Sequence, residues 1–318
     1  EGVYRLQRDA LRKLKDSGAR PQNVVSAPGG PALLLVHGTF ANTALTFDKL
    51  WKDHPDHVAA IFEHYRDRVY ALDHRTLGVS PLANALTLAK GLKDHARVDL
   101  LTHSRGGLVA EVFVRACGSR DLAADLEFFA GKGYEQHRSD MKALQDLVAG
   151  KDIQVGKVVR VACPARGTLL ASKRLDAYLS VFKWSLELAG IPVVPAIVDF
   201  LAAVATRKED PAKLPGLSAQ VPDSPLIRWL YSAIDPIPGD LRVVAGDIQG
   251  DSVLSWLKTL VADSFYWTDN DLVVQTRSMY GGAPRASSAK FVFDQGGGDS
   301  HFNYFRNDRT AQAVFEGL

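Results

Sequence analysis

The chain has 318 residues, 46% of them hydrophobic, enough for one large α/β domain or two small ones around a sizeable core. Lys and Arg total 38 against 36 Asp and Glu, so the net charge is only +2 and no electrostatic footprint for nucleic acid is present. Two cysteines, Cys117 and Cys163, form no C-x-x-C pair and are too few for a disulfide scaffold; they read as reduced, buried thiols.

Taken in chain order, residues 1–20 place bases among Val3, Leu6, Leu11 and Leu14, a pattern that predicts an amphipathic surface helix within an N-terminal extension of residues 1–22. The start at Glu1, without a secretory signal, gives the expectation of a cytoplasmic fragment or processed product with room for domains upstream. PALLLVHG (31–38) is a short apolar run closed by glycine and predicts a buried strand; residues 43–66 predict a helix and RVYALD (68–73) a second strand. Pro81 opens a helix that runs to Leu92. Val98–Thr102 predicts a third strand and Gly106–Cys117 the helix after it. Residues 119–152 are charged and mostly helical. Strands follow at GKVVRVAC (156–163), DLRVVAG (240–246) and KFVFD (290–294), and Thr310–Phe315 closes the chain as a helix.

Apolar runs alternating with helices predict an α/β fold, a mostly parallel sheet with helices on both faces. Residues 170–235 interrupt the alternation and are expected to form an inserted helical cap, leaving 23–169 and 236–318 as the core. The most apolar stretch, GIPVVPAIVDFLAAVA (190–205), is too short for a membrane span and is broken by Pro192, Pro195 and Asp199. Pro211, Pro215 and Gly216 offer a bend on which a lid would hinge.

In open α/β sheets reactive groups gather beyond the carboxyl ends of strands. Here those positions hold His37, Gly38, Thr39 and Phe40, then Ser104, then Asp269 and Asp271, then His301. THSRG (102–106) matches the G-x-S-x-G pattern except at Thr102. The pattern has a reason: a nucleophilic serine must stand on a strained strand-to-helix turn, and small residues let strand and helix nearly touch there. Thr102 is bulkier than glycine and crowds the strand side without forbidding the turn.

With LLLVHGTF (33–40), LLTHSRGG (100–107), ACPARGT (162–168), DNDLVV (269–274) and DSHFNYF (299–305), the chain resembles the α/β-hydrolases of the bacterial lipase and esterase type. Ala165 stands where many such lipases carry a histidine. The resemblance implies an α/β-hydrolase fold and a triad of Ser104 as nucleophile, Asp271 as acid and His301 as base, in the family's chain order. Asp269 competes for the acid role and Asp247 is the third choice. The resemblance also implies an oxyanion hole from the backbone N–H groups of Arg105 and Thr39, with Phe40 second. His37 and His103 read as packing and hydrogen-bonding residues, and the Arg105 side chain as solvated.

The expected activity is hydrolysis of carboxylic esters with an apolar acyl chain, lipid included, because the cap stripe from Val181 to Leu201 would cover the serine. Peripheral membrane or lipid contact through the cap goes with it. Amidase, peptidase or acyltransferase action on the same triad remains open, as does a noncatalytic hydrolase-fold module of a larger protein. No cofactor is expected. Asp269, Asn270 and Asp271 lack the glycine and spaced glutamate of a calcium loop, and GGGDS (296–300) has no following lysine to hold phosphate.

Overall fold

The computed structural model describes residues 1–12, 14, 20–24, 26, 30–39, 41–167, 214–247, 279–295 and 303–318. Its strands are β1 (Gly2–Arg5), β2 (Ala32–Val36), β3 (Val69–Asp73), β4 (Arg97–His103), β5 (Gln154–Val161), β6 (Asp240–Asp247) and β7 (Lys290–Gln295). They form one sheet in the order β1-β3-β2-β4-β5-β6-β7. Only β1 is antiparallel to its neighbour; the other pairs are parallel. Helices cover both faces of a parallel sheet, which is why β2 is apolar and buried along its whole length.

The described helices are α1 (Thr43–Asp53), α2 (Pro55–His64), α3 (Pro81–Lys90), α4 (Arg105–Gly118), α5 (Leu122–Glu127), α6 (Glu135–Gly150), α7 (Pro215–Ser218), α8 (Pro225–Tyr231) and α9 (Asp308–Gly317). Local chemistry sets their starts. Asn42 caps α1 by accepting from the Leu45 N–H, and Ser80 caps α3 by accepting from the Ala83 N–H. Helices α3, α4 and α6 pack on one another, while α9 meets α2, β5 and β6.

Two expectations change. Residues 2–5 form an edge strand rather than the start of a helix: Val3 is buried, Arg5 is exposed, and Val3 pairs with Leu72. Residues 6–12 carry no helix either. The helix expected over 43–66 is two, split at His54 because Pro55 drives the preceding residue out of helical geometry. Residues 168–213, most of the expected cap, lie outside the described residues; α7 and α8 belong to its last part.

A buried ionic cluster ties the sheet to α4. Arg160 Nη1 on β5 and Arg285 Nη2 both donate to one Glu111 oxygen, at 2.9 and 2.8 Å. All three side chains are buried. Burial alone would raise the Glu111 pKa, but Arg285 and Arg160 more than reverse this and hold the carboxyl below its usual range. Arg160 Nη2 also donates to the Met279 carbonyl at 3.1 Å and to the Gly281 carbonyl. Segment 279–285 is thereby fastened to both α4 and β5. Neutralising the shared carboxylate strands two buried cations, so Glu111→Gln is expected to lower the unfolding free energy by about 3 kcal/mol, read as a drop in the urea midpoint.

Candidate active site

Ser104 is the single residue between the end of β4 and the start of α4. Its φ of 53° and ψ of −131° are left-handed geometry, which costs an L-residue roughly 1–3 kcal/mol. The sheet holds it there: the Ser104 N–H donates to the Val161 carbonyl at 2.9 Å, and the Gly107 N–H donates to the Ser104 carbonyl at 2.9 Å. The turn is tight enough to exclude side chains around it. A Cβ on Gly106 would lie 2.2 Å from the Val36 carbonyl oxygen, and one on Gly38 would lie 2.7 Å from Ser104 Cβ. Thr102, the departure from glycine, is fully buried, and its hydroxyl donates to the Val159 carbonyl on β5 at 3.3 Å.

Gly38 is in direct contact with Ser104, so the neighbouring Thr39, itself buried, begins the loop beside the hydroxyl. Phe40, Asp269, Asp271 and His301 lie outside the described residues; Asp247 ends β6, and its side chain lies outside them too. The chain just beyond His301 is described. Phe305 and Tyr304 pack on the His103 ring, with centroids 5.7 and 6.3 Å away, and Phe305 also meets Phe47 at 4.7 Å. The segment leaving position 301 therefore rests on the residue next to Ser104. Tyr304 also abuts Gly246, where a Cβ would fall 2.6 Å from its hydroxyl.

His37 and His103 are indeed packed within the core. His37 Nδ1 lies 3.0 Å from the Gly38 carbonyl, and its ring stacks at 4.1 Å on His74, which was not foreseen. Burial lowers the His37 pKa to about 4 against partial opposition from the Gly38 hydrogen bond and Asp73, and burial pushes His74 well below its usual value. Both rings are neutral at physiological pH. A cleft of about 530 Å³ opens next to this pair, between Asn42–Thr43 and the loop from His74 to Gly78.

Arg105 corrects the expectation of a solvated side chain. It is 0% exposed; its Nη2 donates to the Val79 carbonyl at 2.6 Å and its Nε to the Gly216 carbonyl at 3.3 Å. A second residue that sequence reasoning missed is Ala162, left-handed at φ 51° where the chain leaves β5.

Comparison with solved structures places this architecture. Lipase 1 from Pelosinus fermentans superposes with a TM-score of 0.55 at 13% identity, over 90% of this chain and 97% of that one. EstA from Clostridium botulinum gives 0.52 at 12% identity, over 98% and 92%, and the Staphylococcus hyicus lipase 0.50 at 15%, over 92% and 95%. At such identities the likeness establishes the α/β-hydrolase fold. A family model described as "Domain of unknown function (DUF7379)" matches residues 1–128 and 138–318. Among curated proteins none matches. No helix among the described residues is long and apolar enough to cross a membrane.

Two measurements test the site's energetics. Ser104→Gly relieves the left-handed strain and is expected to stabilise the fold by about 1 kcal/mol, whereas Gly106→Ala collides with backbone and should destabilise it by about 3 kcal/mol; paired urea titrations read both. The second concerns pH. The unfolded chain binds protons at an ordinary histidine pKa of 6.5, but folded His37 does so only near 4. Stability present above pH 6.5 is therefore lost as pH falls towards 4, with His74 acting in the same direction. Urea midpoints should drop across that window, and a His37→Gln variant should drop less steeply.

Proposed function

This chain belongs to the family described as a domain of unknown function, DUF7379, and from its α/β-hydrolase fold we propose that it is a serine hydrolase that cleaves carboxylic esters. The observation that carries the reading is the left-handed serine on the β4–α4 turn, with Gly38 and Gly106 leaving room for nothing larger around it. Strain of this kind persists only where surrounding structure enforces it, and a serine carried on a strained strand-to-helix turn is what acyl transfer in this fold requires.

In the proposed reaction His301 takes the Ser104 proton as the hydroxyl oxygen attacks the ester carbonyl. The carbon–oxygen bond to the alcohol breaks, the alcohol leaves with that proton, and an acyl-enzyme remains. Water, deprotonated by the same imidazole, then releases the acid. Asp271 orients His301. The N–H groups of Arg105 and Thr39 receive the negative charge that grows on the carbonyl oxygen. An apolar acyl chain is assigned to the cap residues between Val181 and Leu201, which would also make any contact with a lipid surface. The packing of Tyr304 and Phe305 on His103 supports the base assignment, since it brings the chain next to position 301 to the turn.

A fluorophosphonate probe with site mapping is the test. Labelling is expected at Ser104 and should vanish in Ser104→Ala. Asp271→Asn should cut ester turnover by about 10⁴, while Asp269→Asn should be mild; the reverse ranking moves the acid to position 269. An unlabelled, folded protein removes the hydrolase reading altogether.

A further inference from the structure

The buried Arg105 side chain has no place in the reaction as described, since only its backbone N–H takes part. Burying a guanidinium is costly, and a fold keeps one there only with good hydrogen bonds. Two of its carbonyl acceptors come from segments far apart in sequence: Val79 lies in the loop between β3 and α3, and Gly216 in α7. That loop and α7 are themselves locked together. The Gly216 N–H donates to the Leu77 carbonyl at 2.8 Å, and a Cβ on Gly216 would sit 2.1 Å from the Thr76 carbonyl. Gln220 also donates to the Gly216 carbonyl, at 2.9 Å.

We propose that the Arg105 side chain is a positioning residue for the oxyanion hole: its fork fixes the first residue of α4 against Val79 and Gly216, and so aims the Arg105 N–H beside Ser104. The inference rests on the serine-hydrolase reading. Two features favour this over a filler role. First, the residue that carries the donor also carries the anchor, so any slack in the side chain passes directly to its own N–H. Second, the cation's field reaches the opposite wall of the hole. Arg105 is one of the charges that depress His37 and His74, and His37 sits two residues before Thr39. Negative charge developing between the Arg105 and Thr39 donors, both on buried residues, thus forms within a permanent positive potential. The bond to Gly216 further couples the hole to α7, in the last part of the stretch expected to form the cap.

Arg105→Met and Arg105→Lys in the full chain test this, read by steady-state kinetics on a short-chain ester and by the affinity of an alkylboronic acid, whose serine adduct is a tetrahedral anion. With Met, kcat is expected to fall about a hundredfold, with KM changed less than twofold, and boronate affinity should fall in parallel with kcat. Lys keeps the charge but cannot reach both carbonyls, and should lose about tenfold in both quantities. A residue that merely fills space would shift the urea midpoint and KM without linking kcat to boronate affinity. Wild-type kcat and boronate affinity in both variants overturn the assignment. If Met does not fold, wild-type behaviour in Lys alone overturns it. Fluorophosphonate labelling of the wild type separates the two readings: no labelling rejects the hydrolase and this inference with it, whereas labelling with unaffected variants rejects only the role of Arg105.

Discussion

Ser104 can stay left-handed only because three strands and a helix leave it no alternative. Its N–H is committed to Val161 on β5 and its carbonyl to Gly107 in α4, while the first turn of that helix lies against the end of β2. Relaxing the residue would require lifting α4 from the sheet, and α4 is held down by Glu111, shared between Arg160 and Arg285. A local cost of roughly 1–3 kcal/mol is therefore borne by a much larger body of packing. The glycines at 38 and 106 follow from the same constraint, since backbone and serine occupy the space their side chains would need.

The parallel strands were legible because each is built around a short apolar run, a pattern that survives single buried polar residues such as Asp99 in β4 and Arg160 in β5. β1 was not. Four residues span too little chain to separate a period of two from one of 3.6, and Leu6, Leu11 and Leu14 supplied helical spacing just beyond it. The break at His54 was open to reading from Pro55 but was hidden by apolar residues on either side. Among site residues, Ser104 was readable because its turn demands a particular order of residue sizes. The burial of Arg105 was not readable, because it bonds to the carbonyls of Val79 and Gly216 among its partners, and carbonyls leave no trace in residue identity. Thr102 looked like a flaw; a bond from its hydroxyl to the Val159 carbonyl turns the extra bulk into a cross-strand tie.

The frame also governs the segments on either side of the proposed base and acid. Tyr304 and Phe305 rest on His103, and the Met279 carbonyl is held by Arg160. Each contact ends on β4 or β5, so the described ends of those segments are set by the central strands of the sheet. In such an arrangement loops can vary in sequence while the points at which they join the sheet do not.

The stacked pair His37 and His74 has a bearing on spectroscopy. Among the described histidines, burial holds His37 and His74 neutral, with His37 lowered to about 4 and His74 well below its usual value. In a proton-resonance titration through the physiological range their signals stand still. An imidazole whose resonance moves with the rate of an ester-cleaving reaction must then come from elsewhere in the chain, and the two immobile signals become internal references against which it is picked out.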